Sequence, residues 1–148
     1  MKFTQTITAA ILAATSVSAA PAATKSNLQA RGEPANVPDW IIENMKRVCA
    51  QDDSSCTWTF KINPQVAEAT DCTYYVETPG ASRANGGPVT CGDYQITSGW
   101  DASLKFTTVT ILDVPQQHIA YPSWSDTELE GGKVQGPKYA AVELPWHP

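Results

Sequence analysis

The residues able to do acid–base or nucleophilic chemistry are few in this chain, and they are poorly assorted. Its 148 residues contain two histidines, His118 and His147. A serine or cysteine nucleophile needs a histidine base and an orienting acid within reach, and no Gly-x-Ser-x-Gly turn presents a serine here. Glu77, Arg83 and His118 are the residue types of a small ribonuclease, yet nothing in their spacing selects them from the other acids and bases. Asp126, Glu128 and Glu130 form the densest acidic cluster. Paired carboxylates serve glycosidases, and Asp126 and Glu130 would share a face if helical; a solvated acidic turn is the simpler reading. Asp52-Asp53 beside Ser54-Ser55 resembles part of a calcium loop but lacks the Asp-x-Asp-x-Asp-Gly spacing. Gly131-Gly132 and Gly136-Pro137 are turns without the Lys-Ser/Thr of a phosphate loop. The residues therefore predict no catalytic set, no metal ligands and no cofactor.

Cys49, Cys56, Cys72 and Cys91 are the remaining reactive groups. Their gaps of six, fifteen and eighteen residues contain no Cys-x-x-Cys, which speaks against zinc. An even count in a small secreted chain reads as two disulfides. Four cysteines allow three pairings; Cys49–Cys56 with Cys72–Cys91 is favoured, because each bridge then joins neighbouring segments across a polar turn.

The aromatic residues carry more information. Trp100, Tyr121, Trp124, Tyr139 and Trp146 fall at or near predicted loops, whereas Trp58 sits in a predicted strand. Exposed aromatic rings can stack on sugars or anchor a protein partner. The competing role is to plug the open ends of a small barrel.

These groups need a scaffold, and the ends of the chain say where it works. Lys2, an apolar alanine-rich run over 7–17 and the small residues Val17-Ser18-Ala19 make a secretory signal peptide at 1–19. The run is too short and too interrupted by Thr and Ser for a membrane span. Residues 20–37, rich in Ala, Pro and small polar types, read as a disordered leader or a pro-segment cut after Arg31. Residues 38–148 are left as a single β-rich domain. The chain carries a formal charge of −5, and its basic residues never cluster beyond the Lys46-Arg47 pair. It thus lacks the electrostatic footprint of a nucleic-acid or anionic-membrane binder.

Short alternating runs punctuated by turn residues predict the elements. In 57–62, Trp58, Phe60 and Ile62 share one face of a strand, which Pro64 ends. In 72–77, Cys72, Tyr74 and Val76 point inward until Pro79-Gly80. Beyond a flexible Asn85-Gly86-Gly87-Pro88 stretch, strands are expected over 89–97, 106–112 and 118–121. Ser125 with Glu128 has capping-box spacing for one helical turn. The segment 40–49 is ambiguous: Trp40, Asn44, Met45 and Val48 fit a helical face behind Asp39, and a looser alternation also fits. Strands at roughly 8–12 residue spacing predict an all-β fold, a small antiparallel β-barrel or sandwich with short helical turns.

Several blocks carry a family pattern: Val37-Pro38-Asp39-Trp40, Arg47-Val48-Cys49, Ser55-Cys56-Thr57-Trp58-Thr59-Phe60, Cys91-Gly92-Asp93-Tyr94, Tyr121-Pro122 and Asp126-Thr127-Glu128-Leu129. Together they resemble small secreted fungal proteins of the hypersensitive-response-inducing family. The segment 101–105 departs from it, lacking glycine where a longer turn is expected. The resemblance implies a compact β-barrel sensed by plants as an elicitor of defence and cell death. It favours strand over helix for 40–49 and supplies no catalytic residues. On this reading the chain is a non-enzymatic effector whose partner is a plant apoplastic or cell-surface protein. The expected recognition surface is Arg83, Trp100, Tyr121, Trp124, Asp126 and Glu128. A module binding cell-wall polysaccharide through the loop aromatics is one alternative; a small hydrolase such as a ribonuclease is another.

Overall fold

The computed structural model describes residues 32–145. The expected signal peptide at 1–19, the expected disordered leader as far as Arg31, and residues 146–148 lie outside them. The last part of that leader, 32–37, is not disordered but tied to the fold, the Ala35 N–H donating to the Val142 carbonyl at 2.9 Å and Val37 packing on the core. The described part contains β1 (Trp40–Cys49), β2 (Ser55–Asn63), β3 (Thr70–Glu77), β4 (Gly86–Cys91), β5 (Tyr94–Asp101), β6 (Phe106–Asp113), β7 (His118–Ala120), β8 (Ser123–Ser125), α1 (Asp126–Leu129) and β9 (Lys138–Ala140). One sheet has the order β3-β2-β1-β9; the other runs β4-β5-β6-β7, with β8 also pairing β6. Every pairing is antiparallel. Of the two architectures expected, the sandwich is the one observed; the sheets face each other and do not close into a barrel.

The clean alternation of β2 and β3 produces the inner face of the first sheet. Trp58, Phe60, Ile62, Cys72, Tyr74 and Val76 are all buried, and Trp58 pairs directly with Tyr74 across the strands. Their rings stack with centroids 5.5 Å apart. The second sheet answers with Tyr94, Ile96, Val109, Ile111 and Trp124, and Tyr94 meets Trp40 edge-on at 5.3 Å. Such aromatic pairs add about 0.5–1.5 kcal/mol beyond the area they bury.

Segment 40–49 is a strand, and its ambiguity has a structural cause. Opposite β2 the register steps from Glu43↔Lys61 to Lys46↔Thr59, so β1 holds one extra residue. Asn44 takes the left-handed conformation there, with φ 54°. This β-bulge shifts the phase: Trp40 and Ile42 point inward before it, Met45 and Arg47 after it. The inward spacing of two, three and two residues counterfeits a helical period.

Two expectations need correction. The strand expected over 89–97 is two strands, β4 and β5, turning at Gly92 with φ +58°, a conformation open to glycine at no steric cost. The Asn85–Pro88 stretch is no free loop, because β4 begins at Gly86. A Cβ on Gly86 would stand 2.7 Å from Val76 Cγ2 and 2.8 Å from Ser98 Oγ.

Both favoured bridges are present, Cys49–Cys56 and Cys72–Cys91. The first joins directly paired residues of the β1–β2 hairpin. The second ties β3 to β4, hence one sheet to the other. At the opposite edge, Glu143 and Ile119 exchange two backbone hydrogen bonds of 2.9 Å, an isolated bridge that links the segment after β9 to β7. Replacing Cys72 and Cys91 together by alanine should cost about 3 kcal/mol from loop-closure entropy, against about 2.5 for Cys49 and Cys56. The midpoint of guanidinium unfolding measures both losses. An unchanged midpoint for the first pair would show that the core alone holds the sheets.

Candidate functional site

One end of the sandwich gathers most of the expected recognition residues. Trp100 closes β5, and Asn85 Oδ1 accepts a hydrogen bond of 3.1 Å from its backbone N–H. Its indole Nε1 donates to both carboxylate oxygens of Asp126, at 3.1 and 3.3 Å. The Arg83 guanidinium lies 5.9 Å from the ring centroid and the Lys105 ammonium 5.3 Å. Cation–π contacts at exposed sites are worth about 0.5–1 kcal/mol, so the indole is fixed by several small terms. Arg83 reaches this place from the 3₁₀ turn Ala81–Arg83. That turn is docked by Asp53, whose carboxylate accepts from the Ser82 backbone N–H at 2.8 Å and from the Ser82 hydroxyl at 2.7 Å.

Asp126 is placed by the short helix α1. Ser125 caps it: the Glu128 N–H donates to Ser125 Oγ at 3.3 Å, while Glu128 Oε2 accepts from the Ser125 N–H at 2.6 Å. This is the expected capping box. The hydrogen bond from the Ser125 backbone N–H is the main reason the Glu128 carboxyl is held below its ordinary value of 4.5, with Lys138 adding to it. Lys138 stands 3.5 Å from Glu128 Oε1 and lies over the Trp124 ring at 4.9 Å. Glu128 is thus engaged in holding the helix start.

Trp124 requires a correction as a recognition residue. It is 1% exposed, because β8 pairs with β6 and turns this indole into the core opposite Thr107. Tyr121 is exposed but lies apart. It walls a separate groove of about 450 Å³ with Tyr139, Lys138, Glu143 and Leu144.

Sequence reasoning passed over Arg47. It stands on β1 with 7% of its surface exposed, its guanidinium 5.4 Å from the centroid of Trp58. Nη1 donates to the Ser82 carbonyl at 2.7 Å. Burial pulls the guanidinium below its ordinary range, and Asp126 and Asp53 pull it back. Arg47 also lines a groove of about 940 Å³ that runs between the β1–β2 hairpin, the Ala81–Arg83 turn and α1, and that includes Lys46, Asp53, Arg83 and Asp126. The missed signal was a charge in a strand position that the bulge turns inward.

The ribonuclease-like trio does not assemble. Arg83 sits at the Trp100 end of β5, whereas His118 pairs with Asp113, which pairs with Tyr94 at the other end. Six residues of strand separate them, about 20 Å. The carboxylates of Asp126 and Glu128 are engaged by Trp100 and Ser125. Asp52 forms a local turn, its Oδ1 accepting from the Ser54 N–H at 3.1 Å and hydroxyl at 2.7 Å. Cys49, Asp53 and Cys56 lie close together, but both sulfurs are in the disulfide and offer no thiolate to a metal. No helix among the described residues is long and apolar enough to cross a membrane.

Two outcomes follow from these placements. Trp124→Ala should destabilise the fold by about 3–5 kcal/mol, the range for large buried aromatics; a variant melting like the parent would return Trp124 to the surface. Glu128 stabilises the fold in its ionised form, fully so above its unfolded pKa and progressively less as pH falls through the lowered folded value. The thermal midpoint should therefore fall more steeply from pH 6 to pH 3 in the parent than in Glu128→Gln. Parallel curves would remove the carboxylate from the stability of this corner.

The sequence has counterparts among known proteins. The family model described as Effector TSP1 matches residues 41–147. A protein of Hypocrea virens named Effector TSP1 is 41% identical over 152 residues, covering 98% of this chain and 100% of that relative.

Proposed function

The chain belongs to the Effector TSP1 family, and from that premise we propose that it is a secreted fungal effector sensed by plant tissue, where it induces defence or hypersensitive cell death. The carrying observation is identity of 41% with a protein named as an effector, across nearly the whole of both chains. The signal-peptide pattern at 1–19 and two disulfides support export to an oxidising compartment. The activity is recognition without catalysis: a rigid sandwich presents Arg83, Trp100 and Asp126 to a plant apoplastic or cell-surface protein. Such a surface suits binding because Trp100 is already held in one orientation, so little side-chain freedom is lost on contact.

A second reading has its own observation. Tyr121 and Tyr139, 49% and 65% exposed, flank the 450 Å³ groove, an arrangement that can stack on sugar rings. Retention on chitin, cellulose or glucan that is lost in Tyr139→Ala would favour a wall-binding module.

Leaf infiltration tests the leading reading. Protein purified from a secreting host should give an oxidative burst and necrosis, and reduced, alkylated protein should not. Arg83→Ala should lower the response while shifting stability by less than about 0.5 kcal/mol, as expected of an exposed position. No response across several hosts would overturn the reading.

A further inference from the structure

Arg47 is a buried cation without a carboxylate partner among the described residues. A guanidinium carries five N–H donors. One of them serves the Ser82 carbonyl, and Nε is buried without a hydrogen-bond partner among the described residues. No carboxylate lies within ion-pair distance of Arg47 among those residues; the pairs found there are Lys61–Asp71 and Lys138–Glu128. The two nearby acids that act on it are committed elsewhere, Asp53 to Ser82 and Asp126 to Trp100. A buried charge without a carboxylate partner is costly. Here that cost is met while the side chain is held rigidly, between the Trp58 face and the Ser82 carbonyl, on the wall of the 940 Å³ groove.

The surroundings narrow the ligand. Lys46 and Arg83 line the same groove and bring two more positive charges to Arg47. Asp53, Asp126 and Glu130 line it as well, and the chain as a whole is at −5. A polymer with an anion on every unit would meet those carboxylates along its length. One isolated carboxylate would meet the arginines alone. The planar fork of a guanidinium matches such a group with two parallel hydrogen bonds.

We propose that the groove over Arg47 binds a single carboxylate carried on a peptide, a lone Asp or Glu side chain in an otherwise uncharged segment of the partner protein, with Arg47 and Arg83 as its cationic contacts. This rests on the recognition reading above and names the chemistry of the partner.

Nuclear magnetic resonance of ¹⁵N-labelled protein from a secreting host tests it directly. The probe is acetyl-Gly-Ser-Glu-Ser-Gly-amide, compared with its Gln counterpart. The Glu peptide should move the Arg47 and Arg83 Nε–H resonances in a saturable way, and the Gln peptide should leave them in place. Arg47→Lys, which keeps the charge and loses the fork, should weaken binding about tenfold; Arg83→Ala, at an exposed position, should weaken it about threefold. Equal shifts from both peptides, or shifts confined to other residues, would overturn the site. Tri-galacturonate saturating the same resonances at lower concentration than the Glu peptide would also overturn it, in favour of an acidic polysaccharide. Should Arg47→Lys fail to fold, the Glu–Gln comparison and Arg83→Ala still decide. Leaf infiltration separates this proposal from the broader one. A parent that elicits necrosis but ignores the Glu peptide refutes the carboxylate site alone. A parent that binds the peptide yet leaves every leaf unmarked refutes the elicitor reading alone.

Discussion

One extra residue in β1 decides what enters this sandwich. Strict alternation from Trp40 and Ile42 would next turn Asn44, Lys46 and Val48 inward. The bulge at Asn44 instead delivers Met45 and Arg47. Met45 is fully buried, and Arg47 comes to rest on Trp58 at the mouth of the core. The rest of that end follows from this placement. The Ser82 carbonyl accepts from Arg47, Asp53 holds Ser82, and the turn so fixed carries Arg83 to the face of Trp100.

The interior behind Arg47 carries several polar groups. Trp58 Nε1, Tyr74 OH, Ser98 Oγ, Thr107 Oγ1 and Trp124 Nε1 are buried without hydrogen-bond partners among the described residues. Burial pushes the Tyr74 phenol upward; Ser98 Oγ is near enough to ease that rise but outside bonding geometry. Each unsatisfied buried group costs about 1–3 kcal/mol, and total stability is only about 5–15.

The legible parts of the fold were those governed by local alternation. β2, β3 and β6 announce themselves because each inward residue follows the last by two, and the capping box of α1 because Ser125 and Glu128 keep their spacing. What stayed hidden depended on partners distant in sequence. β8 and β9 have three residues each, too few to show a period, and β8 exists because β6 offers it an edge. Trp124 therefore looked like a loop residue just after Pro122, while its actual neighbour is Thr107. Arg47 escaped for the opposite reason. Its segment showed too much pattern, since the bulge blended the period of a strand with that of a helix. The site was half visible: Arg83, Trp100 and Asp126 could be named as surface residues, but nothing in the sequence said that they meet.

That meeting is what separates this end of the molecule from its other exposed aromatics. Tyr121 and Tyr139 are more open than Trp100, yet no hydrogen bond from another of the described residues fixes their rings. A ligand stacking there must order them itself, at about 0.5–1.5 kcal/mol for each immobilised side chain. Trp100 has been ordered in advance by Asp126 below its indole and two cations on the ring. Arg47 has been ordered by Trp58 and Ser82. A partner of the kind proposed would therefore spend little of its binding energy at this end on arranging the protein. That preorganisation, of Trp100 and Arg47 together, is the physical property on which the proposed recognition at this end depends.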